Sequence, residues 1–201
     1  MSKFSELKSL KTNFYANDTQ SVAKALLGKL LVRELDGQQL IGKIVETEAY
    51  IGHDDPASHA FRGKTPRSAI MFGPPGFAYV YFIYGMYFCL NVVTEAEGFP
   101  AAVLIRAVEP LHGVDHMCAF RQTNQLKNLT NGPGKLCQAF GIDKKLNGCD
   151  LTIPPLWIAD APAIPETKIL ATTRVGIRVG RDHLWRYCIK THPFVSKSRL
   201  R

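Results

Sequence analysis

The segment Ile44-Val-Glu-Thr-Glu-Ala-Tyr50 is one of the two most informative parts of this sequence. Apolar and acidic side chains alternate along it, which predicts a β-strand with one buried face. Because strand side chains two residues apart share a face, Glu46 and Glu48 are placed on the same side. A carboxylate is costly to bury without a partner, so the pair indicates that this strand carries a functional site.

A second segment is unusually rich in phenol groups. Tyr79-Val-Tyr-Phe-Ile-Tyr-Gly-Met-Tyr-Phe-Cys-Leu-Asn91 holds four tyrosines around the single Gly85. The pattern predicts two strands, 79–84 and 88–94, joined by a turn at Gly85. A core cannot easily supply hydrogen-bond partners for so many tyrosines. An acidic strand beside an aromatic cluster therefore predicts a pocket that holds a flat ring next to a catalytic carboxylate.

The remaining elements are predicted from local patterns. A helix is expected from Asp18, as its N-cap, to Gly28, and the dipeptide Asp36-Gly37 predicts a hairpin. Further strands are predicted at 29–35, 38–48, 101–109, 151–158, 174–179 and 187–190, and short helices at 112–121 and 132–141. Residues 1–18 are expected to form an extended lead-in, and 52–76 a long functional loop. The whole chain, 1–201, is predicted to be a single α+β domain with an antiparallel twisted β-sheet surrounded by short helices.

The composition limits the function classes. With 25 Lys+Arg against 17 Asp+Glu, the net charge is +8 and the isoelectric point about 9.3, which favours a polyanionic partner or merely keeps the protein soluble. The five cysteines are odd in number and form no Cys-x-x-Cys pair, which argues against a disulfide framework or a zinc ribbon. No apolar run has the length of a signal peptide or a membrane span. We expect a soluble, cytoplasmic protein.

At these segments the sequence resembles the alkyladenine (3-methyladenine) DNA glycosylase family, the mammalian-type repair enzymes. The similarity rests on Val-Glu-Thr-Glu-Ala-Tyr50 and on the tyrosine-rich segment. It resumes at Leu104-Ile-Arg-Ala-Val-Glu-Pro-Leu-x-Gly113, Asn131-Gly-Pro-x-Lys-Leu-Cys-Gln138, Arg174-Val-Gly176 and Pro193-x-Val-Ser196. It therefore spans the chain from about residue 20 to the end.

The resemblance implies hydrolysis of an N-glycosidic bond in DNA. Glu48 matches the general base that activates the water, and Arg106 matches the arginine that shares this water and the carboxylate. Val175 matches the residue whose carbonyl is the third water contact. The alternative for Glu48 and Arg106 is a purely structural ion pair.

The resemblance also implies the residues that hold the flipped base. Tyr50, His59 and Tyr81 match the side chains that sandwich it, and cation–π attraction would favour cationic alkylated purines. Backbone hydrogen bonds are implied from Ala57 and His59. Asn91 matches the steric gate against the exocyclic amino group of guanine. Each aromatic alone would more simply be a core residue, and Asn91 alone could close its strand by hydrogen bonding.

Contacts with duplex DNA are implied at the predicted hairpin. Tyr84 matches the residue that wedges into the duplex, so the β-hairpin is expected to insert into DNA, with Met86 and Tyr87 in the minor groove. Phosphate contacts are expected from Arg67, Arg121 and Lys135. For any one of these cations, a solvated surface charge is the simpler alternative.

No metal site or cofactor is predicted. His53, Asp54, Asp55 and His59 lack the spacing of a metal site, and solvent-facing charge is expected there instead. Cys89 lies in an apolar strand without an activating base and is expected to be a core residue. No lysine matches a nucleophile at the sugar, so the predicted reaction is monofunctional hydrolysis.

These expectations combine into one functional prediction. The chain is expected to be a monomeric, intracellular DNA glycosylase that excises 3-methyladenine, 7-methylguanine, hypoxanthine and ethenoadenine from double-stranded DNA and so initiates base excision repair. The alternative is a non-catalytic basic module that binds nucleic acid, in which Glu48 only supports the fold. Release of free purine distinguishes the two.

Overall fold

A computed structural model describes residues 6–196 of the chain. One antiparallel sheet organises it, with strands in the spatial order β3-β4-β5-β2-β1-β6, while β8 pairs with β2 and β7. The eight strands within the described residues are β1 (Leu30–Leu35), β2 (Gln38–Ile51), β3 (Ala78–Ile83), β4 (Tyr87–Val93), β5 (Ala101–His112), β6 (Leu156–Ala159), β7 (Ile169–Thr172) and β8 (Arg186–Ile189). The helices are α1 (Thr12–Tyr15), α2 (Thr19–Ala25), α3 (Val114–Arg121) and α4 (Pro133–Ala139). The predicted α+β class and the antiparallel sheet are confirmed.

Strand β2 is the centre of this sheet. It pairs with β5 from Ile41 to Ile51, and on its other side with β1 and then, at 46–48, with β8. The β1–β2 turn has positive φ at Asp36 and Gly37, as a type I′ hairpin requires, so this predicted hairpin is confirmed. Both edges of β2 are therefore hydrogen-bonded where it carries its two glutamates.

The two faces of β2 have different neighbours. Thr47 Oγ1 donates to the Ala23 carbonyl of α2 over 2.8 Å, so one face packs against that helix. Asp18 caps α2 by accepting from the Ser21 amide at 2.8 Å, as predicted. Glu46, Glu48 and Tyr50 alternate with Thr47 and project from the opposite face.

Two of the predicted strands, 151–158 and 174–179, are wrong over most or all of their length. Of 151–158 only the end belongs to β6, because Pro154 and Pro155 have no N–H to donate to a sheet. The segment 174–179 is irregular, and β7 lies before it. There the Arg174 side chain pairs with Asp55 and the Val175 amide donates to Glu48, so neither residue extends a β-ladder.

The predicted extended lead-in also needs correction. It contains α1, and Ser9 forms a β-bridge with Ala159. Tyr15 at the end of α1 is fully buried, and this burial accounts for the ordered turn. Residues 1–5 lie outside the described part of the chain.

The hairpin of β3 and β4 is confirmed. Tyr84 and Gly85 both have positive φ, 55° and 70°, so the turn is tight although one of its residues bears a large ring. Tyr84 is 74% exposed and Met86 65% exposed. The turn thus presents apolar side chains to solvent. Within residues 6–196, no helix is long and apolar enough to cross a membrane.

Candidate active site

A cavity of about 540 Å³ opens beside β2, between the β3–β4 hairpin, the start of α4 and the 175–177 segment. Every residue that the sequence assigned to catalysis or base binding lines it: Glu48, Tyr50, Ala57, His59, Tyr81, Asn91, Arg106 and Val175. Tyr84, Tyr87 and Lys135 also line the cavity, whereas Met86, Arg67 and Arg121 do not. The structure therefore gathers into one place residues that are far apart in sequence.

Glu48 is the acid of this cavity. Its side chain is fully buried, at 0% exposure, and it accepts two hydrogen bonds. The Tyr50 hydroxyl donates to Oε2 at 2.9 Å, and the Val175 amide donates to Oε1 at 2.8 Å. Burial and the neighbouring Glu48 carboxylate raise the pKa of Tyr50, so its hydroxyl remains a donor. The structure thus shows a contact between the Val175 amide and Glu48. The contact of the Val175 carbonyl with a water, which the resemblance implies, stays a prediction.

Glu46, two residues earlier, lies deeper and has more donors. Arg106 Nε donates to it at 2.9 Å and Arg186 Nε at 2.7 Å. Ser196 donates to it twice, from its amide and from its hydroxyl, each over 2.7 Å. The two carboxylates and the two guanidinium groups balance in charge, which makes their common burial tolerable.

Arg106 bridges the two acids unequally. Its Nε lies 2.9 Å from Glu46 but 3.6 Å from Glu48, and the second distance is too long for a hydrogen bond. Burial would lower the pKa of Arg106, but Glu48 and Glu46 outweigh burial and raise it. The guanidinium is therefore a permanent positive charge at the cavity floor, held there by Glu46.

The rings of His59, Tyr79 and Tyr81 contact one another and form one side of the cavity, which we call the aromatic wall. The rings of His59 and Tyr81 meet edge to face, with centroids 4.6 Å apart, and His59 Nδ1 is 2.8 Å from the Tyr79 hydroxyl. Although His59 faces open cavity space, loss of water at this wall and the charge of Arg67 lower its pKa to about 4. His59 is consequently neutral at physiological pH. Cys89, beside Tyr81, is buried with a raised thiol pKa, in agreement with its predicted place in the core.

The loop after β2 corrects one prediction. Asp55 is fully buried instead of facing solvent, because Arg174 forms a bidentate pair with it at 2.5 and 2.7 Å. Asp55 also accepts from the Ala57 amide at 3.0 Å, and Arg174 lies 4.7 Å from the centre of the Tyr50 ring. This ion pair joins the loop to the aromatic side of the cavity. Within residues 6–196, no group of three His, Cys, Asp or Glu side chains is arranged to hold a metal ion.

Of the remaining predicted site residues, Asn91 and Lys135 line the cavity, whereas Arg67 and Arg121 lie outside its lining. Asn91 lines the cavity and donates to the Tyr79 carbonyl at 3.0 Å, so it closes its strand by hydrogen bonding, and its role as a gate stays a prediction. Lys135 Nζ is bound by the side-chain oxygens of Asn128 and Asn131. Arg121 donates to Gln138, and Arg67 lies over the Tyr81 ring.

Sequence reasoning missed Arg186, Ser196 and Tyr79 as parts of the site. Arg186 begins the buried strand Arg-Tyr-Cys-Ile. An arginine in an apolar strand is the signal that identified Arg106, and it could have identified Arg186 as well. Ser196 was quoted only as part of a motif, and its contact with Glu46 crosses 150 positions of sequence. A serine carries no signal of such a long-range partner.

Known proteins similar to this chain agree on its class. A protein from Carboxydothermus hydrogenoformans is 52% identical over 189 residues, covering 94% of this chain and 98% of that protein. One from Methanocella arvoryzae is 49% identical over 193 residues, covering 94% and 96%. Both bear the name "Putative 3-methyladenine DNA glycosylase".

The chain is thus a DNA glycosylase, an enzyme that hydrolyses N-glycosidic bonds in DNA. More narrowly, a family model described as methylpurine-DNA glycosylase (MPG) matches residues 13–193. The chain belongs to this family.

Proposed function

We propose that this DNA glycosylase flips a damaged purine out of double-stranded DNA into the cavity beside β2 and excises it with a water activated by Glu48. The observation that carries this proposal is the position of Glu48. It is a buried carboxylate that lines an open aromatic cavity, with Arg106 as a fixed cation beside it. A base inside a stacked duplex is out of reach of such a site, so flipping is required.

The proposed step balances without a cofactor. The water oxygen bonds to the anomeric carbon and one of its protons passes to Glu48, while the glycosidic C–N electron pair leaves with the purine. A cationic alkylated purine then leaves as a neutral base, and a neutral purine leaves as an anion that takes up one proton from Glu48 or from solvent water. Tyr50 and Val175 donate to Glu48 and fix its orientation. The carboxylate also stabilises the positive charge that develops on the sugar. The products are a free base and an abasic site, as expected of a monofunctional enzyme.

His59 is not a general acid in this scheme. Its pKa of about 4 leaves no proton to give to the leaving purine at neutral pH. Cationic bases such as 3-methyladenine and 7-methylguanine leave without such help. We propose these as substrates together with the neutral bases hypoxanthine and ethenoadenine, for which the His59 side chain contributes only stacking.

The base is proposed to lie among Tyr50, His59 and Tyr81. The Ala57 amide is already engaged by Asp55, so Ala57 offers the base its carbonyl oxygen. Among the hydrogen bonds of residues 6–196, none uses the His59 amide, which can therefore donate to the base. Asn91, held by its bond to the Tyr79 carbonyl, is the proposed gate against guanine.

The hairpin turn is the proposed DNA-inserting element. Tyr84 is 74% exposed although its ring is large and apolar, and it stands at the mouth of the cavity. Insertion of this ring would fill the gap that the flipped base leaves, while Met86 and Tyr87 lie in the minor groove. Arg67, Arg121 and Lys135 are proposed to contribute salt-dependent affinity for the phosphates. The enzyme is proposed to act as a monomer, as a single catalytic domain of residues 1–201, on the DNA inside the cell.

Base release from defined duplexes tests the proposal. Wild type and Glu48→Gln are incubated with DNA that carries one hypoxanthine, one ethenoadenine or methylated purines, and free base and alkali-sensitive sites are measured. We expect release by wild type and a loss of about 10²–10⁴-fold in the variant. Full activity of a folded Glu48→Gln protein would refute the mechanism. Tight lesion binding by both proteins without release would indicate the non-catalytic binding module.

A further inference from the structure

Arg67 stands out among the cations around the cavity. Its guanidinium carbon lies 5.1 Å from the centre of the Tyr81 ring. Tyr81 lines the cavity, whereas Arg67 lies outside the lining and is exposed. Arg67 also lowers the pKa values of Tyr79 and His59, although burial outweighs it at Tyr79. Its charge therefore acts on three neighbouring rings of the same wall.

The other arginines of the site are neutralised. Arg174, which lies over the Tyr50 ring, is paired with Asp55 by two hydrogen bonds. Arg106 and Arg186 share the carboxylates of Glu46 and Glu48. By contrast, in the part of the chain that the structure describes, no carboxylate oxygen lies within ion-pair distance of Arg67. Arg67 is thus a positive charge without a counter-charge beside the aromatic wall.

Lys135 is a second cation near the cavity that has no carboxylate within ion-pair distance among residues 6–196. It lines the side formed by α4 and is held there by Asn128 and Asn131. The cation that shifts the pKa of His59 is Arg67 and not Lys135. Lys135 is therefore suited to a comparison, because it places a positive charge at the same cavity but away from His59 and Tyr81.

A positive charge at this wall affects the two proposed kinds of base differently. An alkylated purine that carries a positive charge is attracted to the face of an electron-rich ring. A guanidinium that already lies over the ring weakens the attraction between the ring and a second cation, and it also repels the cationic base directly. A neutral base such as hypoxanthine stacks on the ring without this repulsion.

We propose that Arg67 is a specificity-determining residue that moves the preference of the enzyme from cationic towards neutral damaged purines. This inference rests on the proposed function of the cavity and refines it. A residue that only binds a phosphate would change the excision of all bases by the same factor. A charge on the base-binding wall changes the ratio between them.

Internal competition measures this ratio directly. Two otherwise identical duplexes, one with 7-methylguanine and one with hypoxanthine, are mixed and treated with the same enzyme at pH 7.5, after subtraction of spontaneous depurination. The ratio of the two release rates equals the ratio of the kcat/KM values and does not depend on the fraction of folded enzyme. For Arg67→Met we expect this ratio to rise about fivefold in favour of 7-methylguanine, given an effective dielectric constant between those of protein and water.

Three further variants test whether the change in the ratio of release rates is specific to the charge of Arg67. Arg67→Lys keeps the charge and should leave the ratio near that of wild type. Arg62→Met removes an equal charge elsewhere on the same exposed loop, and Lys135→Met removes one at the α4 side of the cavity. Both should leave the ratio unchanged, even if the two rates fall together.

The outcomes separate the two proposals. An unchanged ratio for Arg67→Met, or a shift towards hypoxanthine, would overturn the role of Arg67 and leave the glycosylase mechanism intact. If wild type released neither base, or if Glu48→Gln released both at the wild-type rate, the proposed function itself would fail.

Discussion

The surroundings of Glu46 and of Glu48 differ sharply, although the two residues share one face of one strand. Glu46 is surrounded by two arginines and Ser196, which together donate four hydrogen bonds. Glu48 has two donors, and the rest of its carboxylate borders the open cavity. A fully satisfied carboxylate supports structure, whereas one with free acceptor positions can bind and activate a water. Identical side chains on the same strand thus have different hydrogen-bond partners, and the roles that we propose for them differ accordingly.

The first and largest test of this comparison is the rate of base release. Glu48→Gln should lower the single-turnover rate by about 10³-fold, because an amide cannot take the proton of the water. Its fold should change less than that of Glu46→Ala, since the amide oxygen still accepts a hydrogen bond and Glu46 still pairs with both Arg106 and Arg186. Urea unfolding of the same preparation checks this point. A large loss of stability would show that Glu48 is as structural as Glu46.

The second test is the stability of Glu46→Ala. Removal of this carboxylate leaves Arg106 and Arg186 buried with too little negative charge, which should lower the free energy of unfolding by about 3–5 kcal/mol. Glu48→Ala is the matched control, because it removes an equally buried carboxylate that has fewer donors. The urea midpoints of both variants decide the comparison. Equal midpoints would mean that the number of donors does not distinguish the two sites.

The third test removes one donor of Glu46. Ser196→Ala deletes the hydroxyl that lies 2.7 Å from Glu46 Oε1, and should lower the free energy of unfolding by about 1.5–3 kcal/mol. The exposed Ser21→Ala serves as a control, with an expected change within about 0.5 kcal/mol. If the two serine variants unfolded at the same denaturant concentration, Ser196 would contribute nothing to the network.

The smallest expected effect is that of pH on His59, which lines the same cavity as Glu48. Because loss of water and Arg67 lower its pKa to about 4, the ring is neutral in the folded state from neutral pH down to about pH 5. Since an unfolded histidine titrates near pH 6.5, protonation of His59 opposes folding only as the pH falls below that value. The rate of hypoxanthine release between pH 6 and 7.5 should therefore show no titration from His59.

An NMR titration of the imidazole, assigned with His59→Gln, measures this pKa. The His59→Gln enzyme should have the same pH profile as wild type over this range, at a lower rate. A His59 pKa near 6.5 would contradict the expected loss of water at the aromatic wall.

The sequence determined the elements whose patterns are local. Alternation predicted β2, and Asp36-Gly37 and the segment around Gly85 predicted two hairpins, all of which the structure contains. Glu48, Tyr50 and Tyr81 could be selected because acidic and aromatic residues in a buried strand are unusual and because a family resemblance covers them. The strand at 174–179 was wrong, since its backbone bonds to a side chain of β2 instead of to another strand.

Only the tertiary structure decided how the charges of the site are paired. The sequence shows arginines and acids but not that Arg106 lies closer to Glu46 than to Glu48, or that Asp55 is buried against Arg174. The pairs Arg106–Glu46 and Arg174–Asp55 join residues 60 and 119 positions apart, and the Arg186–Glu46 pair joins residues 140 positions apart. A strand or a turn can be predicted from the sequence because residues that are adjacent in the chain specify its geometry. The pairing of buried charges depends on which side chains the complete sheet brings within a few ångströms of each other, and that is a property of the whole fold.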